Sequence, residues 1–455
     1  ERLDGQVNAV VVRIFDRALA RAAEADAALA RREIWGPLHG VPITVKEAFM
    51  LTGTATTSAI PQLQGCVAEA NALAVQRLLD AGAVILGKTN LPPYCADIQT
   101  ANPVYGRTCN PHDLSRTPGG SSGGSATALA CGFAALELGS DVGGSIRTPA
   151  HFCGVCGHKP SYGIGHLHGH APGATHAALD PMPKGKLRAR FDPTFHHQLA
   201  VAGPLARCCA DLELAMRLLA RPDPSMEQNG WSFRLPQPRF GDARPLRAAA
   251  WLDTEAVPTD REYLGLLEAA VSSLEAAGAR VDRGTQPLGT EEWALKALGL
   301  YARLLQASDP AFSAGKPVDH QEWLVLEVKR NFVKEAFARF FEQHDVLLCP
   351  VAPIHAFPHT GSAFGARTFQ GSGISDFGSV PHMLFWAGLF TLADLPSTVV
   401  PVGRTTSGLP CGIQIVAGNF QDLTTIAVGK MLEECHAGAR YSPPAGFDDH
   451  STSKL

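Results

Sequence analysis

Two hydrophobic periods alternate along the chain. Short, mostly apolar runs recur at residues 41–45, 83–86, 133–138, 246–252, 346–348, 398–402 and 412–416. Runs of this length, rich in β-branched residues and flanked by turn formers, predict buried strands. Between them lie longer segments with Ala, Leu and Phe at three- and four-residue spacing and charges in between. These predict helices over 69–81, 122–130, 207–219, 263–277, 291–306, 322–341 and 423–435. Residues 7–32 show the same spacing and predict one amphipathic helix on the outside of the domain. Short strands alternating with longer helices predict an α/β fold around a central sheet. Three stretches show neither period. Residues 163–193 are rich in Gly, Pro and His, and residues 357–381 in Gly, Ser and Phe. Loops of this length inside a domain are commonly lids or binding loops. Residues 221–245, rich in Pro and Arg, predict a linker or a surface excursion.

Composition narrows the class. The 455 residues are 45% apolar and only 18% charged, which suits a well-buried globular enzyme. A net charge of −4 gives no basic field for nucleic acid or a membrane surface. No apolar run is long enough for a bilayer span; the nearest, residues 383–392, contains Gly388. The chain opens on Glu1 without a signal-peptide pattern, which predicts a trimmed start. Eleven cysteines are scattered irregularly, as expected of reduced thiols in a cytoplasmic location. Cys153 and Cys156 form a C-x-x-C pair, but no second pair accompanies them. They are expected to be two small buried thiols rather than a zinc or redox site.

The chemistry concentrates in residues 117–160, where two Gly-Gly-Ser clusters end on Ser121 and Ser145. Glycines before a serine let the backbone turn sharply and leave N–H groups facing a reacting centre. Val142, Gly143, Gly144 and Ser145 are therefore expected to offer donors to a developing oxyanion. Three other readings fail. A phosphate loop would need lysine where Ser125 stands. A G-x-S-x-G nucleophile elbow would need a hydrophobic strand before it, and residues 110–118 are polar with two prolines. A flexible linker would not lie between a helix and a buried strand, with Asp141, Arg147 and Lys159 at its edges.

The stretch resembles the motif of the amidase-signature family. The matching pieces are Gly119-Gly120-Ser121-Ser122-Gly123-Gly124, then Gly139-x-Asp141-x-Gly143-Gly144-Ser145-x-Arg147-x-Pro149-Ala150, and Gly157-x-Lys159-Pro160. Upstream, Gly40-Val41-Pro42 and Val45-Lys46 are similar to the family's lysine motif. Downstream, residues 345–350, 397–402 and 408–414 resemble its later strands. The likeness spans nearly the whole chain. It implies a single domain over 1–455: an α/β amidase-signature fold with a large twisted mixed β-sheet surrounded by helices. It also implies that Ser145 is the nucleophile, Ser121 the bridging serine that follows a cis peptide bond, and Lys46 the catalytic lysine. Val142, Gly143, Gly144 and Ser145 fall on the oxyanion segment, and Ser122, Asp141 and Arg147 on bracing positions. Two departures stand out. Glu47 follows Lys46 where the family has aspartate, and Thr391 and Asp394 stand where an Asn and a Gly are usual.

These residue types suit amide cleavage. A lysine becomes a base only when burial removes its charge, and Lys46 follows an apolar strand. The implied path relays protons through Ser121, forms an acyl-enzyme on Ser145 and needs no cofactor. The alternating His166, His168 and His170, followed by His196 and His197, invite a metal. The segment is glycine-rich and lacks an acidic partner at fixed spacing, so none is expected. Segments 94–100, 163–193 and 369–386 are expected to line the pocket. Phe369, Phe377, Phe385 and Trp386 favour an aryl or apolar acyl amide, with carbamates chemically open. The alternatives are the glutaminase-like subunit of an amidotransferase, which would need partner chains, and a silent binding protein.

Overall fold

Along residues 42–46, Ile43 and Val45 enter one apolar cluster, while Thr44 and Lys46 turn to the other face, and all four are fully buried. That alternation is the strand period, and burial on both faces means that helices must cover both. The computed structural model describes residues 2–171, 186–187, 198–241, 244–308, 318–362, 367–371, 374–378 and 380–447.

Eleven strands form one sheet. In chain order they are β1 Val10–Arg13, β2 Pro42–Lys46, β3 Val84–Thr89, β4 Leu136–Asp141, β5 Cys156–Lys159, β6 Val201–Ala206, β7 Arg247–Ala250, β8 Arg280–Asp282, β9 Val346–Pro350, β10 Ser397–Arg404 and β11 Pro410–Val416. Their order across the sheet is β1-β3-β2-β4-β6-β5-β10-β11-β9-β7-β8. β2 runs parallel to both β3 and β4, β7 is parallel to β8 and β9, and the remaining pairs are antiparallel. The sheet is therefore mixed.

The helices used below are α1 Phe15–Ala30, α2 Leu73–Asp80, α3 Gly123–Ala130, α4 Arg147–Cys153, α5 Cys209–Leu219, α6 Arg261–Ala276, α7 Glu291–Ser308, α8 His320–Gln343, α9 Phe385–Leu392 and α10 Asp422–Cys435. Helices α2, α5, α6 and α10 bury Val75, Leu212, Leu267 and Leu432 against Ile43, Leu138 and Ile413. Helices α3 and α4 place Ala126, Leu129 and Ala150 against Leu205 and Val399. Val399 and Val400 are consecutive on β10 and enter different clusters, so these clusters lie on opposite faces of the sheet. Each fully buried Leu or Val contributes about 1.5–3 kcal/mol relative to exposure. Among the described residues, no helix is long and apolar enough to cross a membrane.

The predicted helix over 7–32 is not continuous. A short turn at Asp4–Val7 leads into β1, and the helix starts only at Phe15. The consecutive valines Val10, Val11 and Val12 favour the extended chain and pair antiparallel with β3. Asp4 ends the first turn by accepting from the N–H groups of Ala9 and Val10 at 2.7 and 3.2 Å. The sequence pattern also missed α4, β5, β6, β8 and α9. Of the expected lid at 163–193, residues 172–185 and 188–193 lie outside the described residues. The second expected loop carries an antiparallel ribbon, Thr368–Gly371 with Ile374–Gly378. The 221–245 excursion is tied down at its end: Arg239 and Arg244 join Arg247 on the buried carboxylate of Asp345.

Candidate active site

Parallel β2 and β4 lie side by side, so their carboxyl ends emerge together. In open α/β sheets this edge is where ligands bind. Lys46 is the last residue of β2, Asp141 the last of β4. The turn after β4 leads through Ser145 into α4, and the turn before α3 carries Ser121.

Lys46 has no exposed surface. Its Nζ donates to Ser121 Oγ at 2.6 Å and to Ser140 Oγ at 3.0 Å. Burial pushes the amine below the ordinary lysine value, against the upward pull of the Cys95 thiol, Asp141 and Glu137. Glu137, also buried on β4, is itself pushed up to about 7 by desolvation, opposed by hydroxyl donors from Thr44, Thr89 and Ser125. The lysine thus has hydroxyls, not a fixed carboxylate, as its nearest partners.

The peptide bond between Gly120 and Ser121 is cis. Gly120 permits close packing here: a Cβ on it would lie 2.5 Å from the Asp97 carbonyl oxygen. Ser121 and Ser145 come from separate turns that are joined by the Ser122 N–H donating to the Ser145 carbonyl at 3.0 Å. Ser122 Oγ also donates to the Ser140 carbonyl at 3.3 Å. Ser145 is 7% exposed and Ser121 1%, so the nucleophile candidate is the more accessible of the two.

Asp141 organises the turn. Its carboxylate accepts from the N–H of Gly144 at 2.8 Å and of Ile146 at 3.0 Å. Arg147 grips the same carboxylate with two bonds, Nη2 at 2.8 Å and Nε at 3.0 Å. Burial alone would raise the Asp141 carboxyl, but the Arg147 charge and these bonds hold it well below the usual range. Gly144 has φ +100, and a Cβ there would lie 2.9 Å from both Ala387 and Thr148, so only glycine fits. The Gly144 N–H faces Asp141. Of the four expected donors, Val142, Gly143 and Ser145 are the ones whose N–H groups are not turned to that carboxylate.

Both departures from the family pattern have partners. Glu47 is buried and accepts from Thr57 N at 2.6 Å, Ser58 N at 2.8 Å and the Tyr105 hydroxyl at 2.8 Å. It braces the 57–58 turn, whose Ser58 carbonyl receives the Tyr94 N–H. Thr391 accepts from Arg147 Nη2 at 2.9 Å, and Asp394, at φ +65, pairs with Arg330 and Lys334 at 2.6 Å each. Aspartate tolerates that left-handed backbone better than most residues.

Of the proposed pocket segments, 94–100 packs on the Gly120–Ser121 turn. It is clamped to the 357–381 region by Asp97 with Arg367 and by Gln99 with Thr360. Three of the four aromatic residues are packed into the core. Phe385 and Trp386 are fully buried and Phe369 is 3% exposed, all in one core cluster with Tyr301 and Phe390. The Phe377 side chain lies outside the described residues. Of the alternating histidines, His166 and His168 both lie near the Asp223 carboxylate, His166 Nε2 meets the Arg221 carbonyl and His170 Nε2 meets Ser140 Oγ; His196 and His197 lie outside the described residues. Among the described residues, the one group with metal-ligand spacing is Cys156, Cys209 and Glu433. Cys156 therefore neighbours Cys209, not Cys153, whose thiol donates to the Pro118 carbonyl. All eleven cysteines are free.

Sequence reasoning missed Ser140, Glu137 and Tyr301. The Tyr301 hydroxyl donates to the Val142 carbonyl at 2.9 Å and so fixes the start of the 142–145 turn.

A buried lysine on two hydroxyls, beside a glycine turn braced by an Asp–Arg pair, is the geometry of an amidase-signature enzyme. The chain matches the family described as Amidase over residues 1–309 and 310–426 and belongs to it. Its relatives include a glutamyl-tRNA(Gln) amidotransferase subunit from Thermosynechococcus vestitus. That protein is 32% identical over 465 residues, which cover 92% of this chain and 89% of the relative. Among solved structures it is similar to a chain of a vestigial complex said to reveal the evolutionary origins of an s-triazine catabolic enzyme. The identity there is 27% and the TM-score 0.79, over 96% of this chain and 93% of that one. A structure described as an amidase is also 27% identical, with a TM-score of 0.76 and the same coverage.

Proposed function

We propose that the chain hydrolyses the C–N bond of a linear amide or carbamate, with Ser145 as nucleophile, Ser121 as bridging hydroxyl and Lys46 as base. The observation that carries this reading is the fully buried Lys46 amine, 2.6 Å from the Ser121 hydroxyl. When the amine is neutral, Ser121 donates to its lone pair across that contact. Ser121 then accepts the Ser145 proton as Ser145 Oγ attacks the carbonyl carbon. The N–H groups of Val142, Gly143 and Ser145 hold the oxyanion. As the intermediate collapses, the proton returns from Lys46 through Ser121 to the leaving nitrogen, and the C–N bond breaks. Water, deprotonated by the same relay, cleaves the acyl-enzyme.

An apolar acyl or aryl group is the proposed substrate class. With the aromatic residues in the core, its support is now local: half-buried Val142 and Leu384 flank Gly143. A second reading, a glutaminase-like subunit, is favoured by the curated relatives, which carry that amidotransferase name at about 30% identity. The test is a panel of anilides, primary amides, glutamine and carbamates, run on the purified chain alone. Ser145→Ala is expected to remove turnover by about three or more orders of magnitude. Retained turnover in that variant would exclude Ser145. Hydrolysis confined to glutamine, or needing partner chains, would favour the second reading.

A further inference from the structure

The hydrogen bonds of Lys46 do not end at Ser140. Beyond that hydroxyl lies a histidine: His170 Nε2 is 2.9 Å from Ser140 Oγ, which also receives the Lys46 amine. His170 is held through both of its chain neighbours by the segment that follows Lys46. Met50 N–H donates to the Gly169 carbonyl at 2.9 Å, and Ala171 N–H donates to the Ala48 carbonyl at 2.7 Å. The imidazole meets the Phe49 ring edge-on, with centroids 4.8 Å apart. Gly169 makes this close approach possible, since a Cβ on it would lie 2.6 Å from Ala72. Nothing in the proposed reaction uses this ring.

We propose that His170 is a positioning residue that orients the lone pair of Lys46, acting through Ser140. This rests on the reading of Lys46 as the base. A neutral amine has two N–H donors and one acceptor lone pair. To serve as a base, it must point the lone pair at Ser121 and an N–H at Ser140. Ser140 complies only if its own proton is directed elsewhere, because a hydroxyl that donates to Lys46 would occupy that lone pair. In the tautomer whose Nε2 is the acceptor, His170 takes the Ser140 proton. Ser140 Oγ then accepts from Lys46, and the remaining lone pair faces Ser121. The chain His170–Ser140–Lys46–Ser121 therefore has a single productive direction.

The test follows turnover of 4-nitroacetanilide and the rate at which a fluorophosphonate marks Ser145, read by intact mass. His170→Phe keeps the ring and its contact with Phe49 but removes the acceptor. It is expected to lower kcat about 10–100-fold, the scale of losing an orienting partner, with KM within about threefold. Fluorophosphonate labelling should slow in parallel. His170→Gln brings an amide oxygen near the Nε2 position and should recover most of the rate. Ser140→Ala should lose as much as His170→Phe, and the double variant no more than Ser140→Ala alone. If His170→Phe matches wild type while Lys46→Ala is inactive, the assignment of His170 is wrong and the base reading stands. Equal losses in His170→Phe and His170→Gln, or additive losses with Ser140→Ala, would show a packing role and overturn it too. If Lys46→Ala labels as fast as wild type, the base reading fails and takes this inference with it.

Discussion

Lys46 closes β2 and Lys159 closes β5, two strands of one sheet, and neither residue has more than 1% of its surface exposed. Burial lowers both amines. For Lys159, with Arg147 adding to the effect and nearby aspartates opposing it, the value comes to about 8. Their partners differ in kind. Lys159 Nζ donates to the carbonyl oxygens of Pro160 and Leu395 at 3.0 and 2.8 Å. A carbonyl can only accept, so it satisfies an amine's donors and never offers it a proton. Lys46 meets two hydroxyls, and a hydroxyl does both. Burial makes either lysine easier to neutralise; only the one surrounded by hydroxyls can then exchange a proton with its neighbour. Desolvation sets the charge, and the donor or acceptor character of the partners decides whether the charge is usable.

The largest expected effect separates the two lysines directly. Lys46→Met should reduce turnover by about a thousandfold or more with the fold intact. Steady-state rates on the best substrate of the panel check this, and a rate within tenfold of wild type would erase the distinction. Acidity sharpens it. Only the neutral amine accepts a proton, so kcat/KM should fall as Lys46 protonates on acidification. It should rise to a plateau as pH climbs through the lowered Lys46 value, below the ordinary 10.5. Lys159→Met should leave that limb where it is.

The difference between the lysines was only half legible in the sequence. Lys46, Ser121, Asp141, Ser145 and Arg147 could be named because one glycine-rich stretch and one short strand resemble the family's motifs, which are local in the sequence. The fold class was legible for the same reason, since most strands and helices announce themselves by period. What decides the chemistry is long-range. Ser140 was adjacent to Asp141 in the stretch, but its partners come from β2 and from His170. Glu137 looked like an ordinary strand residue, although it accepts from Thr44 and Thr89 in the interior. Glu47 looked like a departure from the family, and only the folded chain shows the longer side chain reaching Thr57, Ser58 and Tyr105. Phe369, Phe385 and Trp386 lie in a core cluster, and composition cannot tell a core cluster from a pocket wall. Residues 7–32 misled through an accidental helical period, which the three valines at 10–12 contradict.

Fixed-acceptor networks like that of Lys159 should respond in stability first. Asp141→Asn keeps the shape but leaves the Arg147 charge unpaired in a fully buried setting, an expected cost of about 3–5 kcal/mol. Urea unfolding of the variant measures it, and an unchanged midpoint would mean that Arg147 finds other acceptors. Lys159→Met orphans two carbonyls and should cost about 1–3 kcal/mol, with turnover within about tenfold of wild type. A collapse of turnover at full stability would place Lys159 in the same class as Lys46.

The smallest effect probes a hydroxyl whose direction is fixed. Tyr301 donates to the Val142 carbonyl and so orients the first peptide of the 142–145 turn, the proposed oxyanion site. Unlike Ser121 and Ser140, it faces a group that can only accept, so it can hold the turn but cannot relay a proton. Tyr301→Phe removes one neutral hydrogen bond and keeps the ring that packs on Gly388. The expected loss is about 1 kcal/mol, read as a few-fold drop in kcat with KM and the pH limb unchanged. A shift of the pH limb would show that this hydroxyl is coupled to Lys46. The rule that a hydroxyl facing a group that can only accept takes no part in proton movement would then need to be relaxed.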